Sequence, residues 1–432
     1  MTAAAPTRLA HPIERWFAPF ALVNGSSLGL VPILLPLAAA RDGLGHVGLV
    51  MGAFYLGAFA APLLGSLADR YRVYRSLAAA CAAACAVSLW LFAVAGPAWQ
   101  LLLALANGAG FAGALTIASL LIVERRQEEE WDQRLGWLET ALSIGQGVGL
   151  VLAAWLSGLS TRNGLLAAAF VPAAAVPLAL TLIPAMRGPA DRSRMVRMGH
   201  RLPSAGRVGE WGPVSTSRAH YLHQLRHRLA EPRRLLGGGL GWLLAAWIPA
   251  YAGSAVIFAL YPVLFRSAFG IAPHTSSLAF AAIVFLSLPL FPLAGRASTR
   301  YGAATVLACA LAARVVLLTA LAAFATIGHV TPVLPLVAFA GIMFAWSFLS
   351  VCSPALTGEL APGKEGDAQG LLNAATGLAG LAGSVMGGLA AEYSGYPAAL
   401  GIGAAAVALG FVIVSATLVR RGHGGASHGD VG

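Results

Sequence analysis

Long apolar segments separated by short polar ones run along the whole chain. Each apolar segment is about 20 residues long, which at about 1.5 Å per residue crosses a hydrocarbon core of about 30 Å. Twelve such segments can be counted. Because lipid offers no partner for free backbone groups, they are predicted to be helices rather than barrel strands. Of the 432 residues, 58% are hydrophobic and only 10% are charged, so the chain is predicted to be an all-α polytopic membrane protein.

The predicted spans fall into two groups of six. Between them lies a segment rich in Pro, Gly, Ser, Arg and His that is too polar to cross a membrane. The predicted domains are therefore a six-helix bundle (1–184), a basic cytoplasmic linker (185–234), a second six-helix bundle (235–420) and a cytoplasmic tail (421–432). The spans are predicted near residues 16–40, 46–67, 76–95, 99–123, 135–160, 165–184, 239–264, 276–294, 303–327, 332–355, 369–391 and 396–419.

A polar hairpin after the second span occurs again in the second half. From Gly65 to Arg75 it places an acid and three arginines within seven residues, and it returns in degraded form from Gly295 to Gly302, with Thr299 in place of the acid. A second set of residues repeats at offsets of 234 or 235, pairing Glu124, Gly136, Glu139 and Gly149 with Glu359, Gly370, Asn373 and Gly383. Parallel repeats of six helices are typical of transporters, with the substrate site near mid-membrane between the halves.

The distribution of basic residues predicts the orientation. The net charge is +11, and of the 28 Lys and Arg residues 24 fall in loops on one side, three on the other and one, Arg314, within a span. This asymmetry follows the positive-inside rule, which places both termini in the cytoplasm and accounts for the charge without a nucleic-acid partner. Lys364 is the only lysine, which indicates a GC-rich coding sequence, and a bacterial inner membrane is the predicted location.

The sequence Gly65-Ser66-Leu67-Ala68-Asp69-Arg70 is similar to the signature loop of the major facilitator superfamily. The echo in the second half and the six-plus-six arrangement strengthen this resemblance, which covers nearly all of the chain apart from the linker and the tail. It implies the major facilitator fold, with two pseudo-symmetric six-helix bundles that rock about a central cavity open to one side at a time.

The resemblance also implies a set of conformational residues. In that family the loop acid lies against the start of helix eleven, and the next arginine joins the acid that ends helix four and an arginine before helix five. Together with their repeat counterparts, the candidates for a conformational switch or its salt bridges are Gly65, Asp69, Arg70, Arg72, Glu124, Arg134, Arg300 and Glu359. The alternative is ordinary surface charge that enforces topology, since exposed ion pairs contribute about 0 to 1 kcal/mol.

Two departures from the family pattern bear on coupling and direction. Many proton-coupled relatives carry an arginine in helix four where this chain has Ala104, and many exporters carry a Gly-Pro pair where it has Gly149-Leu150. Neither proton coupling nor export is therefore supported by these motifs.

Two ionisable residues lie clearly within predicted spans, where such residues are functional candidates by default. Glu139, in helix five, is interpreted either as a protonation site or as a residue that caps the cytoplasmic mouth near Arg134. Arg314, near the middle of helix nine, is interpreted either as a partner of other groups in the second half or as a substrate ligand.

The cavity candidates follow from the resemblance, because helices one, four, seven and ten line the cavity in this family and helices five, eight and eleven contribute. They are Asn24, Asn107, Gln146, Tyr251, Ser254, Trp346, Ser347 and Asn373. Each could instead form an interhelical hydrogen bond, and the many helix glycines are interpreted as close-packing positions. Amides, hydroxyls and indoles with few charges favour a neutral or amphipathic organic solute.

The leading functional hypothesis is a secondary transporter of such a solute, with proton-coupled export as the preferred version. Its partners would be the small-molecule substrate, protons and the lipid bilayer, with no nucleic acid, cofactor or metal and a monomeric state. The alternatives are an uptake symporter or facilitator, a non-transporting sensor on a transporter scaffold and, least favoured, a membrane-embedded enzyme. A metal site at His220, His223 and His227, on a basic amphipathic helix of the linker, is conceivable but lacks an acid or cysteine.

Overall fold

The computed structural model describes residues 14–125, 131–184, 238–328, 330–361 and 365–419. The linker (185–234), with its three histidines, and the tail (421–432) lie outside the described residues. The described part is helical, with helices one to ten at Arg15–Asp42, Leu44–Tyr71, Tyr74–Phe92, Pro97–Arg125, Trp131–Leu156, Thr161–Leu182, Gly239–Phe269, Pro273–Tyr301, Ala303–Ile327 and Val333–Leu360. Along helix one the backbone changes from 3-10 to α geometry, then to a π segment at Gly25–Leu30, back to α and finally to 3-10 geometry.

The described residues contain twelve helical segments long enough to cross a membrane. Ten helices are long and apolar enough to span, and the bent pair Pro273–Ser287 and Leu290–Tyr301, which meet at 47°, forms an eleventh crossing. One of the ten, Ala368–Val419, has 52 residues and would extend about 78 Å if straight. Gly395 breaks this segment with a φ of 83°, so it provides two crossings, helix eleven (365–394) and helix twelve (396–419). An all-α fold with twelve spans is confirmed.

The hairpin after helix two differs from the predicted polar turn. Helix two continues to Tyr71, so the residues from Gly65 to Arg70 are helical, and the chain reverses only at Arg72, which has a left-handed φ of 55°. The N–H groups of Arg72 and Val73 donate to the carbonyl of Ala68, which satisfies a backbone acceptor at the helix end. In the second half Gly302 occupies the corresponding place, with a φ of 83°, so both turns have a residue of positive φ at this place, while ψ differs, 32° at Arg72 and 138° at Gly302.

Small residues allow the first and fifth helices of each half to touch backbone to backbone. In the first half Gly149 lies against the backbone of Gly25, and in the second half its counterpart Gly383 lies against the backbone of Ala252. A Cβ atom at either glycine would overlap the facing carbonyl group. The predicted packing role of these glycines is confirmed, and the same joint holds together each six-helix bundle.

The two halves meet mainly at one end. We call the end where helix one begins and helix twelve finishes the inner end, and the opposite end the outer end. At the outer end Gly48 of helix two packs on the backbone of Ser384 and Gly388 in helix eleven. Helices five and eight meet near their middles, where Gly147 faces the ring of Phe285.

The apolar core follows the same division. One core cluster joins the outer part of the first half, including Leu35 and Val50, to the whole of the second half. A separate cluster fills the inner part of the first half, around Phe17, Tyr74 and Leu121. The described halves thus share a core at the outer end and have separate cores at the inner end, so this conformation is closed at the outer end.

Candidate functional site

Four aromatic side chains from both halves gather between the bundles, and we call them the aromatic cluster: Tyr55, Trp247, Tyr251 and Trp346. The rings of Tyr251 and Trp346 lie 5.7 Å apart, those of Trp247 and Tyr251 5.9 Å, and those of Trp247 and Trp346 6.5 Å. Tyr55, from helix two of the first half, meets Tyr251 edge-on at 6.3 Å. These spacings are typical of favourable aromatic pairs.

Helix eleven supports the aromatic cluster from one side. The indole N–H of Trp247 donates to the hydroxyl of Thr376 at 2.7 Å. One turn further along, the absence of a side chain at Gly380 makes room for the ring of Tyr55, and Gly377 faces the ring of Phe59 in the same way. The cluster is therefore built from helices two, seven, ten and eleven.

Arg314 lies directly behind the aromatic cluster. Its side chain is 1% exposed, and its guanidinium carbon is 5.5 Å from the ring centroid of Trp346, within the range of a cation–π contact. Nε and Nη2 both donate to the carbonyl of Ile342 at 3.3 Å, and Nη1 donates to the hydroxyl of Ser254. Arg314 therefore links helices seven, nine and ten.

No carboxylate balances this buried cation within the described residues. The sequence has no Asp or Glu between positions 239 and 358, a stretch that covers helices seven, eight and nine and most of helix ten. Three of the five guanidinium N–H groups have protein acceptors, and the other two N–H groups have no acceptor among the described residues. A cation at the bilayer centre costs about 2.5–3.5 kcal/mol even on the insertion scales that give the lowest values. If Arg314 had only a structural role, no counter-charge among the described residues would offset this cost.

The three amides predicted in the first half are occupied in holding helices together. The amide nitrogen of Asn24 donates to the carbonyl of Leu142 at 2.7 Å. Asn107, 1% exposed, donates to Ser88 at 2.8 Å and to the carbonyl of Cys85 at 3.2 Å, and accepts from Ser27 at 3.4 Å. A longer contact of 3.5 Å joins Gln146 to the carbonyl of Leu28. These contacts match the alternative interpretation, interhelical hydrogen bonds.

The candidates of the second half behave differently. Tyr251 and Trp346 belong to the aromatic cluster, and Ser254 holds Arg314 while its own hydroxyl donates to the carbonyl of Ala250 at 2.8 Å. Ser347 is 1% exposed, and neither its hydroxyl nor the amide nitrogen of Asn373 has a hydrogen-bond partner among the described residues. The second half thus has unpartnered polar groups on helices ten and eleven, the helices that also contribute Trp346 and Thr376.

The charged residues of the inner end form pairs that differ in part from the predicted cluster. Arg72 Nη2 lies 3.0 Å from Glu124 Oε2, and Arg134 lies 3.3 Å from Glu14. Both ion pairs lie within the first half. The pair Arg72–Glu124 links helix two to helix four, and the pair Arg134–Glu14 links helix five to the start of helix one.

The remaining conformational candidates are placed as follows. Gly65 lies in helix two, and Arg300 and Glu359 are exposed, with the guanidinium of Arg300 over the ring of Tyr301 at 5.2 Å. Glu139, the candidate protonation site, is also exposed. The side chains of Asp69 and Arg70 lie outside the described residues, so the predicted contact with the start of helix eleven stays a prediction.

Metal binding finds no support in the described part of the chain, where no group of three or more His, Cys, Asp or Glu side chains could hold an ion. The four cysteines are free thiols, of which Cys81, Cys85 and Cys352 are buried and Cys309 is exposed.

Comparison with known proteins agrees with this geometry. The family model of the Major Facilitator Superfamily matches residues 17–253 and again residues 243–430. The chain belongs to the major facilitator superfamily. The double match also reflects the internal repeat, since the second match begins near the start of helix seven.

Solved structures of superfamily transporters have the same fold. A D-xylose-proton symporter superposes with a TM-score of 0.68 at 14% identity, covering 93% of this chain and 96% of that one. The nucleoside transporter NupG gives 0.66 at 15%, covering 94% and 98%. A bacterial homologue of the human lysosomal transporter Spinster, in an inward-facing and occupied conformation, gives 0.67 at 12%, covering 94% and 96%. A comparison with curated sequences finds no match.

One contact between the halves has no signal in any local pattern. The carboxylate of Glu392, near the end of helix eleven, accepts a hydrogen bond from the backbone N–H of Gly45, in the first turn of helix two. Both carboxylate oxygens lie close to Gly43, which has a φ of 107° and precedes the helix. A carboxylate at a helix N-terminus satisfies free N–H groups and complements the helix dipole, so this contact helps to close the outer end.

Other site residues that sequence reasoning missed did carry a weak signal. Trp247 precedes Tyr251 by four residues, and this spacing places both on one face of helix seven. Asn373 and Thr376 are likewise one turn apart on helix eleven. Tyr55 and Glu14 carry no such signal, because their partners come from distant parts of the chain.

Proposed function

We propose that this member of the superfamily moves an amphipathic organic solute across the membrane by alternating access and binds it at the aromatic cluster. The observation that carries the proposal is the composition of that cluster, in which Tyr55 comes from the first half and Tyr251 and Trp346 from the second. A site shared by both halves is one whose exposure changes when the halves rock against each other.

The chemistry of the cluster favours a solute with a flat apolar part. Aromatic rings provide large apolar contact area with little side-chain entropy to lose, and their faces stack on planar groups. We propose export as the direction, because this character suits lipophilic compounds, and a bacterial inner membrane with cytoplasmic termini as the location, because the basic residues concentrate on one side.

Flux into proteoliposomes tests the proposal. Purified protein is reconstituted with candidate solutes of several classes, with and without a pH gradient, and empty liposomes and a Trp346→Ala, Tyr251→Ala double variant serve as controls. We expect saturable flux that the double variant lacks. Absence of protein-dependent flux for every solute class would contradict transport and favour a sensor on the same scaffold.

For coupling, we propose Glu139 as the protonation site on helix five. Its side chain is exposed near the inner end, where a proton can exchange with water. Replacing Glu139 with Gln should abolish the effect of the pH gradient while leaving exchange of solute without a gradient intact. An unchanged pH dependence would remove Glu139 from the mechanism.

A further inference from the structure

We propose that Arg314 binds an anionic group of the transported solute, so that the solute is an organic anion with an aromatic or flat apolar part. This inference rests on the proposed function, because it names the chemical class of the solute that the aromatic cluster accepts.

The charge of Arg314 is the first step of the argument. The guanidinium is buried near the middle of helix nine, and its described partners are a serine hydroxyl, a backbone carbonyl and the face of Trp346, all of them uncharged. Acidic residues are absent from the sequence between positions 239 and 358. A cation retained in such surroundings is expected to meet its counter-charge on a ligand.

The geometry around Arg314 is the second step. Its three hydrogen bonds hold the guanidinium in one orientation, and two N–H groups remain for a ligand. A planar guanidinium matches a carboxylate in a bidentate arrangement, which a lysine could not reproduce. Trp346, which covers the guanidinium, also belongs to the aromatic cluster, so an acid group at Arg314 would have its apolar part among the rings.

Unused polar groups nearby are the third step. Ser347 follows Trp346 in helix ten, and its buried hydroxyl has no partner among the described residues. The amide nitrogen of Asn373 also has none, and it lies one turn from Thr376, which holds Trp247. Hydrogen-bond donors without acceptors on helices ten and eleven, which also contribute Trp346 and Thr376, fit a ligand that brings oxygen acceptors.

Binding of matched ligands tests the inference. A panel of aromatic monocarboxylates, each paired with its uncharged carboxamide and its primary amine, is titrated against purified full-length protein by thermal shift and by calorimetry. We expect binding by acids of the panel, with amides and amines of the same shape at least about tenfold weaker. If amides or amines bind as tightly as the acids, or if no acid binds, the inference is overturned.

Variants separate recognition from folding. Arg314→Gln should weaken acid binding by about tenfold to a hundredfold, the range for a charge-assisted hydrogen bond, and should leave amide binding unchanged. Arg314→Lys should recover part of the acid preference. The matched control is Arg266→Gln, at the exposed outer end of helix seven, which should bind acids like the parent chain. A loss of acid and amide binding together in Arg314→Gln would mean a structural role and would overturn the inference.

The two proposals fail in different ways. If acids bind with the expected dependence on Arg314 but no flux is seen in proteoliposomes, anion recognition stands and transport fails. If neutral or cationic compounds are transported and acids are not, transport stands and anion recognition fails.

Discussion

Each half of the molecule has one buried polar side chain that joins three helices, and the two differ in charge. In the first half Asn107 links helices one, three and four through Ser27, Ser88 and the carbonyl of Cys85. In the second half Arg314 links helices seven, nine and ten, the repeat counterparts of those three. The serines that contact these two side chains are also repeat counterparts. Ser254 follows Ser27 by 227 positions, and Ala252 follows Gly25 by the same 227 positions. Gly25 and Ala252 are matched by packing as well, because they contact the repeat-related glycines Gly149 and Gly383.

The difference shows how a duplicated fold divides its tasks. An amide has two N–H groups and one carbonyl oxygen, and Asn107 uses all of them within the protein. A guanidinium carries a full charge and five N–H groups, more than its neighbours around Arg314 can satisfy. The link in the first half therefore has all its hydrogen-bonding groups paired, and the link in the second half has two N–H groups without an acceptor among the described residues.

The largest expected effect is on thermal stability, when the buried side chain that links three helices, Asn107 or Arg314, is replaced in each half in turn. Asn107→Leu leaves buried polar groups without partners, each costing about 1–3 kcal/mol, so its melting temperature in detergent should fall clearly. Arg314→Met replaces a buried charge that has no counter-charge among the described residues by an apolar chain of similar length, which removes the cost of burying that charge, so its melting temperature should stay level or rise. A larger loss for Arg314→Met than for Asn107→Leu would show that both links are scaffold.

The next largest expected effect is a loss of solute affinity when Trp346 is replaced, which tests whether Trp346 connects Arg314 to the solute site. Trp346→Leu removes the cation–π contact, worth about 0.5–2 kcal/mol, together with ring contacts to Tyr251 and Trp247. Solute affinity measured by calorimetry should fall by roughly threefold to thirtyfold, with little change in melting temperature. As a control, Trp155→Leu changes a tryptophan that is 74% exposed on the first half and should leave affinity unaltered.

A smaller effect concerns the joint between the halves. Glu392→Ala removes the carboxylate from the start of helix two, an interaction of about 0.3–1 kcal/mol, so the population open at the outer end should rise by about twofold to fivefold. Spin-label distances between the outer ends of helices two and eight report this change. Tyr393→Ala, which changes the neighbouring side chain that is 82% exposed, is the control, and equal distance distributions in the Glu392 variant and the parent chain would contradict the role.

The smallest effect separates the two serines. Ser27→Ala removes one long neutral hydrogen bond of 3.4 Å, which is weaker than the about 0.5–1.5 kcal/mol of a typical neutral bond, and should lower stability slightly without changing solute affinity. Ser254→Ala frees a third N–H of Arg314 and should change affinity more than stability. Thermal melting and calorimetry on both variants provide the test, and indistinguishable profiles for the two serines would remove the proposed contrast between the halves.

The number and character of the helices follow from sequence alone, because the length of an apolar segment decides whether it can cross a bilayer and that length is a local property. The repeat was visible for the same reason, since Gly149 and Gly383 stand at matching places in matching segments. The sequence also shows that Arg314 has no acidic residue in its own or the two preceding helices, because helices seven, eight and nine contain no Asp or Glu.

Tertiary structure alone decided which polar groups are already occupied. Asn24 and Asn107 looked like cavity residues by position, yet they hold helices together, because a buried amide takes whichever partner the packing brings within reach. Glu124 pairs with Arg72, 52 positions away, and Glu392 reaches Gly45 across 347 positions. Such contacts depend on how helices cross in space, and no local pattern of residues encodes that crossing.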